Sequence, residues 1–367
     1  MSRPARGRVT SEPPVRLGLI GCGAIVLDVH LPTLVSLGAF EVAAVAEADE
    51  RARAGALKRT PRARAFRDYR DLLEHADLDA VLVALPNELH AAAALAAFAR
   101  GRHVYLEKPV GTSGEDLDRL QRAADRDVMV GFNYRYHPLT RQLRDLVHEG
   151  AAGRIVAARS IFGALGRTMP DWKRARRTGG GALLDLASHH IDLTRFVFSQ
   201  PIVRVAAEIQ SLRTEDDVAA VTMTLADGVV VQSLFSFGVA ARDEWTVYGD
   251  RGVLHLDRYA SYGVSVAPPH AESRPRAALR RIGHAWRGPM LRDRLFAPGR
   301  DPSFRAALVD FAAAVRGRSN GDRPLLADGC RSLEVVLAAE SSSASGRPVE
   351  IAGASDSAGD SLTTLDS

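Results

Sequence analysis

The sequence predicts an α/β protein of two domains, the first built on a parallel sheet and the second an α+β domain with a large, open and mostly antiparallel sheet. From Val15 to Gly131, short apolar runs alternate with amphipathic stretches, a rhythm that is typical of βα units. After Gly131, β-rich runs follow one another without regular helices, which favours an antiparallel sheet. A chain of 367 residues is long enough for two domains that each bury a core.

The elements of the first half come in the order that a parallel sheet requires. Each apolar run of strand length precedes an amphipathic stretch, and Gly38 and Gly101 stand where two of these helices are expected to end. The predicted strands are 16–20, 42–47, 80–85, 103–106 and 128–132. The predicted helices are 27–37, 48–58, 88–99 and 113–124.

The second half begins with a predicted helix at 138–149 and continues as a sheet. Asp227-Gly228 separates two β-rich runs and is a hairpin signal. The predicted strands are 155–162, 202–209, 218–225, 229–237, 244–248 and 252–256. Two helices, 303–316 and 327–342, are predicted to close the domain.

Both chain ends are polar with few apolar anchors, so they are expected to be disordered. We therefore expect tails at 1–13 and 353–367, the parallel-sheet domain at 14–134 and the α+β domain at 135–352. The stretch 274–300 is rich in arginine and has no clear period. This pattern favours a solvated loop or short helix over a binding site for a sugar phosphate.

The composition fits a soluble globular protein. The net charge is only +4, and arginines are interleaved with Asp and Glu, so nucleic-acid binding is not expected. Cys22 and Cys330 are the only cysteines and lie far apart in sequence, which argues against a disulfide framework. Because no signal core and no apolar run of about 18 residues is present, we expect a cytoplasmic protein without membrane contact.

The first strand runs into the turn Gly21-x-Gly23-Ala24-Ile25 and then a helix, which is the context of a Rossmann dinucleotide-binding loop. Gly21 permits a tight turn, and Gly23 lets the backbone approach a pyrophosphate at the helix N-terminus. Glu47 ends the second strand at a spacing that suits a carboxylate on a ribose 2′-hydroxyl. Such a charge repels a 2′-phosphate, so NAD is favoured over NADP. A glycine turn that binds nothing is the alternative.

Ligands of an open parallel sheet bind at the carboxyl ends of its strands. One of these ends is Leu85-Pro86-Asn87, followed by His90. Asn87 and His90 are therefore candidates to face the cofactor. Asn87 could equally cap a helix, and His90 could equally be a packed helix residue.

Glu107 and Lys108 follow another strand, so both are also candidates to contact the cofactor. Lys108 is one of only three lysines, with Lys58 and Lys173. A guanidinium stays charged at working pH, whereas a desolvated ammonium can transfer a proton. A chain that otherwise prefers arginine therefore suggests a chemical role for this lysine. The alternative is an ordinary ion pair between Lys108 and Glu107.

Asp185 and His189 lie four residues apart in a stretch of helical period, with Asp192 three residues further on. The glycines 179–181 precede them and predict a flexible entry into this helix. A carboxylate and an imidazole one turn apart can both reach one substrate alcohol, and His189 is suited to take its proton. A buried helix with a His–Asp pair is the alternative. A metal site is not expected, because no further group of ligands has suitable spacing.

Three more residues are candidates for the junction between the domains. Asn133 and Arg135 follow the last strand of the first domain, so they can contact cofactor and substrate, respectively. Arg135 can equally be structural. Trp172 precedes the glycine run and either stacks near the nicotinamide or simply packs.

Taken together, these motifs resemble the Gfo/Idh/MocA family of NAD(P)-dependent oxidoreductases, which includes glucose-fructose oxidoreductase and inositol 2-dehydrogenase. The resemblance covers almost the whole chain and rests on Gly21-x-Gly23, His30-Leu31-Pro32, Glu107-Lys108-Pro109, Gly131 to Pro138, Gly179-Gly180-Gly181 and Asp185-x-x-x-His189 followed by Asp192. It implies an N-terminal Rossmann domain, an active site between the domains, a homo-oligomer formed through the open sheet, and Lys108, Asp185 and His189 as the catalytic set. Ala187 and Leu85 depart from the residues usual in the family.

The favoured hypothesis is an NAD-dependent dehydrogenase that oxidises a secondary ring hydroxyl of a sugar or cyclitol. His189 would take the hydroxyl proton and Lys108 would stabilise the developing alkoxide. One specific form of this hypothesis is oxidation at C3 of a hexose unit during the biosynthesis of an antibiotic sugar or aminoglycoside. The alternatives are an inositol dehydrogenase, a cofactor-retaining enzyme that modifies glycosides, and a non-catalytic NAD-binding regulator.

Overall fold

A computed structural model describes residues 12–123, 128–166, 169–270, 288–297, 301–318 and 321–351. The predicted tail 353–367 and most of the predicted tail 1–13 lie outside these ranges, as does most of the arginine-rich stretch. The two predicted domain types are confirmed: a six-stranded parallel sheet is followed by an eight-stranded, mostly antiparallel sheet.

The first sheet is a Rossmann sheet with strand order β3-β2-β1-β4-β5-β6, in which all neighbouring pairs are parallel. Its strands are β1 (Val15–Ile20), β2 (Phe40–Ala46), β3 (Arg64–Phe66), β4 (Ala80–Val83), β5 (His103–Leu106) and β6 (Val128–Val130). The strand order reverses between β1 and β4, so a crevice opens at the carboxyl ends of these two strands. All five predicted strands are present, and β3 is a strand that the sequence did not predict.

Helices cover both faces of this sheet, which is why β4 is entirely buried and apolar. They are α1 (Leu31–Leu37), α2 (Glu50–Arg59), α3 (Tyr69–His75), α4 (His90–Phe98) and α5 (Gly114–Gln121). A π-helical turn, Val26–His30, leads into α1. Asp49, Asp68 and Ser113 cap the N-termini of α2, α3 and α5 with side-chain hydrogen bonds. The predicted stop at Gly38 is confirmed, since this residue ends α1 with a φ of 65°.

The second sheet has strand order β13-β12-β11-β7-β10-β9-β8-β14, and within the described residues only β7 and β10 pair in parallel. Its strands are β7 (Ile155–Gly163), β8 (Ile202–Gln210), β9 (Val218–Leu225), β10 (Val230–Ser236), β11 (Arg242–Gly249), β12 (Val253–Asp257), β13 (Ser265–Ala267) and β14 (Val349–Glu350). The six predicted strands and the hairpin at Asp227-Gly228 are confirmed, whereas the short edge strands β13 and β14 were not predicted.

Within the described ranges, five helices accompany this sheet in sequence: α6 (Pro138–His148), α7 (Ser188–Phe198), α8 (Leu291–Phe296), α9 (Ser303–Val315) and α10 (Leu326–Ser345). A second π-helical turn, Leu183–Ala187, leads into α7. The short α8 lies within the arginine-rich stretch. None of the helices in the described ranges is long and apolar enough to cross a membrane.

The last two of these helices join the two domains. Helix α9 returns to the Rossmann sheet, where Phe311 stacks on Phe40 and meets Tyr105 edge-on. Helix α10 contacts β8 of the second sheet and also α5 and β6 of the first. Just before it, Pro324 accepts a hydrogen bond of 2.9 Å from the backbone N–H of Val130 in β6. Two sheets with separate strand orders are thus fastened together beside the crevice.

Candidate active site

The loop after β1 has the form that a dinucleotide pyrophosphate requires. Gly21 has a φ of +90°, and a Cβ at this position would lie 2.4 Å from the carbonyl oxygen of Ala84, so only glycine fits the turn. A Cβ on Gly23, by contrast, would meet nothing within 4 Å, so the surface above the loop is open. Ala24 and Ile25 then begin the helix, and the N–H groups of a first helical turn are available to an anion.

Glu47, directly after β2, is held beside this loop by two backbone hydrogen bonds. Its Oε2 accepts from the N–H of Cys22 at 2.7 Å, and its Oε1 accepts from the N–H of Asp49 at 2.9 Å. Each carboxylate oxygen keeps a second lone pair that can accept a ribose hydroxyl. Burial, with the Glu47 charge beside it, raises the pKa of the Cys22 thiol to about 12, so this cysteine stays protonated at neutral pH. The loop residues and Glu47 together fit NAD.

The end of β4 lies against the glycine loop, but the polar side chains that follow it form hydrogen bonds with other loops. Leu85 and Pro86 are half-buried, and Leu85 lies next to Gly21. Asn87 is buried and donates to the carbonyl oxygen of Gly179 at 2.8 Å. His90 lies with its ring nitrogens 2.6 Å from the carbonyl of Pro109 and 2.8 Å from that of Leu85. The prediction that Asn87 and His90 face the cofactor is not supported by this geometry, because both side chains hold neighbouring loops in place.

Lys108 follows β5 and meets Asp185 at the π-helical turn before α7. Its Nζ donates to the main-chain oxygen of Asp185 at 2.6 Å and to Oδ1 at 3.1 Å. The ammonium of Lys173 donates to the same Oδ1 at 2.8 Å. Burial lowers the pKa of Lys108, and the charge of Lys173 lowers it further, against the opposing effects of Asp185 and Glu107. Lys173 was not predicted as a site residue.

His189, in the first turn of α7, is buried and stacked on an aromatic ring. The imidazole lies parallel to the ring of Tyr134, at 4.0 Å between centroids and 12° between planes. Its Nδ1 has no hydrogen-bond partner among the residues that the structure describes. Burial, followed by the charges of Lys108 and Arg258, places the pKa of His189 well below its ordinary value. The imidazole is therefore neutral at neutral pH and able to accept a proton.

A buried arginine supports this stack from the far side. Arg258 lies over the Tyr134 ring at 3.8 Å and donates to its hydroxyl at 2.6 Å. It also donates to Asp243 and Asp301, at 2.8 Å each. Sequence reasoning missed both Tyr134 and Arg258, since one tyrosine and one of many arginines give no signal without the fold.

Three predicted ligands lie instead in buried structural networks. Arg135, predicted to bind substrate, forms a two-fold ion pair with Asp192 at 2.5 and 2.8 Å, and its guanidinium is directed into the protein. Asn133, predicted to bind cofactor, donates to Ser303 at 2.7 Å. Glu107, predicted likewise, pairs with His30, at 2.7 Å from Oε1 to Nε2. Trp172 is half-buried, with the Lys173 ammonium 5.3 Å from its ring.

The glycines 179–181 were interpreted as a flexible entry into the helix, and the structure corrects this interpretation. A Cβ on Gly179 would lie 2.6 Å from the Cβ of Asn87, and one on Gly180 would lie 2.3 Å from the carbonyl oxygen of Lys173. The glycines are therefore needed for close packing. They bring the Lys173 loop and the end of β4 up to the turn that carries Asp185.

Two ranges of the sequence match known protein families. Residues 15–134 match an oxidoreductase family with an NAD-binding Rossmann fold, and residues 140–255 match the GFO/IDH/MocA C-terminal domain. The chain belongs to the GFO/IDH/MocA family. It is therefore an NAD-dependent oxidoreductase, and the resemblance inferred from the motifs is confirmed. In the described residues, no group of three or more His, Cys, Asp or Glu is arranged to hold a metal ion.

Two relatives of this chain have names that specify a sugar or a cyclitol. A dTDP-3,4-didehydro-2,6-dideoxy-alpha-D-glucose 3-reductase from Streptomyces violaceoruber is 31% identical over 334 residues, which are 86% of this chain and 92% of that protein. An inositol 2-dehydrogenase from Saccharopolyspora erythraea is 34% identical over 200 residues, which are 53% of this chain and 56% of that protein.

Solved structures share the fold of this GFO/IDH/MocA member. The WlbA dehydrogenase from Bordetella pertussis, in complex with NADH and UDP-GlcNAcA, has a TM-score of 0.79 at 21% identity and covers 93% of this chain and 99% of its own. A levoglucosan dehydrogenase in complex with NADH and levoglucosan has a TM-score of 0.75 at 23% identity, with coverage of 92% and 100%. At these identities the likeness is one of fold.

Proposed function

We propose that this protein oxidises a secondary ring hydroxyl of a sugar or cyclitol with NAD. The observation that carries the proposal is the convergence of Lys108, Asp185 and the neutral His189 at the end of β5, beside the crevice of the Rossmann sheet. An ammonium donor and a neutral imidazole acceptor are the two groups that removal of a proton from an alcohol requires. Relatives of the same family whose names specify sugars or inositol support the substrate class.

In the proposed mechanism each residue has one task. The neutral His189 accepts the hydroxyl proton, and the stack on Tyr134 fixes the plane of its ring. The Lys108 ammonium donates a hydrogen bond to the substrate oxygen as negative charge develops there, an interaction that gains strength in a buried site. Asp185 orients Lys108 by accepting from it. NAD, when bound, would accept the hydride that leaves the carbon bearing this hydroxyl group.

The Gly21 loop, Ala24, Ile25 and Glu47 would hold the cofactor at the carboxyl ends of β1 and β2. The first helical turn would bind the pyrophosphate, and Glu47 would accept ribose hydroxyls. Leu85 and Pro86 would line the cofactor site from the end of β4.

For the substrate we propose a hexose unit reacting at C3, as in the making of an antibiotic sugar or an aminoglycoside. The 3-reductase relative, which covers most of this chain, favours this position. An inositol is the second candidate, favoured by the inositol 2-dehydrogenase relative.

The test is NADH formation at 340 nm with inositols, free sugars, sugar phosphates, nucleotide sugars and aminoglycosides, and NADH consumption with the matching ketones. We expect turnover with one class, loss of turnover in Lys108→Ala, and unchanged turnover in Lys58→Ala, because Lys58 is exposed on α2. Substrate conversion without net NADH would instead indicate a cofactor-retaining enzyme. NADH binding with no conversion of any compound would indicate a regulator.

A homo-oligomer formed through the outer face of the second sheet is part of the same proposal. This face carries the exposed Tyr248 on β11 and the half-buried Ile161 and Leu234 on β7 and β10. Light scattering of the wild type and of Leu234→Glu should give a multimer and a smaller species, respectively; a monomeric wild type would contradict it. We also propose a cytoplasmic location, which fractionation of the native host would test.

A further inference from the structure

Two of the three lysines of this chain meet at one carboxylate oxygen. Lys108 and Lys173 donate to Oδ1 of Asp185 at 3.1 and 2.8 Å. The side chain of Lys173 is 23% exposed and that of Asp185 only 6%. The mechanism proposed above uses Lys108 and Asp185 but gives Lys173 no task.

The loop that carries Lys173 is held in a fixed position. Its 3-10 turn, Asp171–Arg174, is fastened by the Thr178 hydroxyl, which donates to the carbonyl of Trp172 at 2.6 Å. Gly180 packs directly on the carbonyl oxygen of Lys173, where no side chain could fit.

Arg176 then ties this loop to three other parts of the molecule. Its guanidinium donates to both carboxylate oxygens of Glu340 on α10 at 2.5 and 2.9 Å, and to the carbonyl of Thr112 at 2.9 Å. Its backbone N–H donates to Glu215 at 2.7 Å. Lys173 therefore reaches Asp185 from a rigid support and not from a mobile surface loop.

We propose that Lys173 is a positioning residue of the active site, which shares the Asp185 carboxylate with Lys108 and so makes the Lys108 ammonium a stronger hydrogen-bond donor to the developing alkoxide. The proposal rests on the catalytic role proposed for Lys108. A single lysine with sole use of this carboxylate would be locked in its charged form. Because two ammonium groups donate to one carboxylate oxygen, Lys108 does not have sole use of the Asp185 charge.

The charges around Lys108 support this role. Both ammonium nitrogens lie within 3.1 Å of one oxygen, so they are less than about 6 Å apart, a range in which like charges disfavour one another's charged forms. Among the residues that the structure describes, the titratable groups that act on Lys108 or are acted on by it include Asp185, Lys173, Glu107, His90 and His189. Within this set, Lys173 is the group that the 3-10 turn Asp171–Arg174 supplies.

The test exploits the small number of lysines. Protein labelled with [ε-13C]lysine gives three Cε resonances, which Lys58→Arg, Lys108→Arg and Lys173→Arg assign, and the Cε shift of each follows its protonation. In the wild type we expect Lys108 to titrate below the ordinary range of a lysine, because its ammonium is buried. In Lys173→Met its midpoint should rise by about one pH unit or more, whereas Lys173→Arg, which keeps the charge, should leave it close to the wild-type value.

An unchanged Lys108 midpoint in Lys173→Met would overturn the proposal. Lys173→Gln provides a second neutral variant if the Met variant does not fold, and Lys58→Met is the matched control for the loss of an exposed lysine. The pH profile of kcat/KM should move with the same midpoint once a substrate is known. Because the titration needs no substrate, its failure is distinguishable from failure of the proposed function, which the 340 nm assay tests.

Discussion

Replacing Arg135 by alanine separates the role predicted from the sequence from the role seen in the structure. The sequence suggested a substrate contact, but the guanidinium makes a two-fold ion pair with Asp192 and lies 3.3 Å from Asp328. Asp192 is fully buried, and burial raises its pKa while Arg135 lowers it. The substitution would therefore leave a buried carboxylate without its main partner.

The cost follows from this burial. Removing one partner of a buried ion pair destabilises a protein by about 3–5 kcal/mol, because the remaining charge is desolvated and unpaired. Arg195 remains after the substitution, and its charge still favours the ionised form of Asp192, so we expect the lower part of this range. Arg135→Ala should thus lose about 3–4 kcal/mol of unfolding free energy, with the substrate KM nearly unchanged.

Urea unfolding followed by tryptophan fluorescence measures this loss, and steady-state kinetics measure KM. Arg154→Ala is the matched control, since that side chain is 84% exposed and its loss should cost less than about 0.5 kcal/mol. Adding Asp192→Asn to Arg135→Ala should restore part of the stability by removing the unpaired charge. A variant as stable as the wild type, with KM raised tenfold or more, would refute the structural role of Arg135 and support the predicted contact between Arg135 and substrate.

Further substitutions test the site. Lys108→Arg should lower kcat by roughly 10²–10³-fold while the dissociation constant of NADH, measured by fluorescence, stays near the wild-type value; near-normal turnover would exclude the proposed role. Gly21→Ala should abolish NADH binding, because its Cβ would lie 2.4 Å from a carbonyl oxygen, and measurable affinity would contradict the tight turn. Glu47→Gln should lower the preference for NAD over NADP by about tenfold in kcat/KM. An unaltered ratio of the two kcat/KM values would contradict repulsion between Glu47 and the 2′-phosphate of NADP. Since burial puts the pKa of His189 below 6.5, and oxidation needs the neutral ring, kcat/KM should hold from pH 7 to 6.5 and fall only at lower pH; a fall that begins above 6.5 would argue against His189 as the base.

The fold was predictable because its strands are strongly patterned. The apolar runs of the Rossmann sheet are continuous, so each gave a signal by itself. Strand β3 is only Arg-Ala-Phe, and its pairing with β2 is what makes it a strand. The π-helical turn at 183–187 was expected to be regular helix, since periodicity does not distinguish one wider turn.

The site was only partly predictable, because motifs identify residues but not their partners. Asp185 and His189 stood out by spacing, and Lys108 by its rarity and position. Lys173 was equally rare, yet its place on Asp185 depends on the loop that Gly180 and Arg176 hold. Arg135 shows the reverse case, in which proximity to the motif suggested chemistry and tertiary contacts assigned it to an ion pair.

The return of α9 to the Rossmann sheet affects how this protein must be made. The face of that sheet that carries Leu17 and Leu19 is covered in part by Leu308 and Phe311, which the ribosome adds only after β1 to β13. Domains usually fold in the order of synthesis, but here the first domain keeps an apolar surface uncovered until α9 has been synthesised. A product that stops before Ser303 should therefore be prone to aggregation, and the two domains should acquire their stability together.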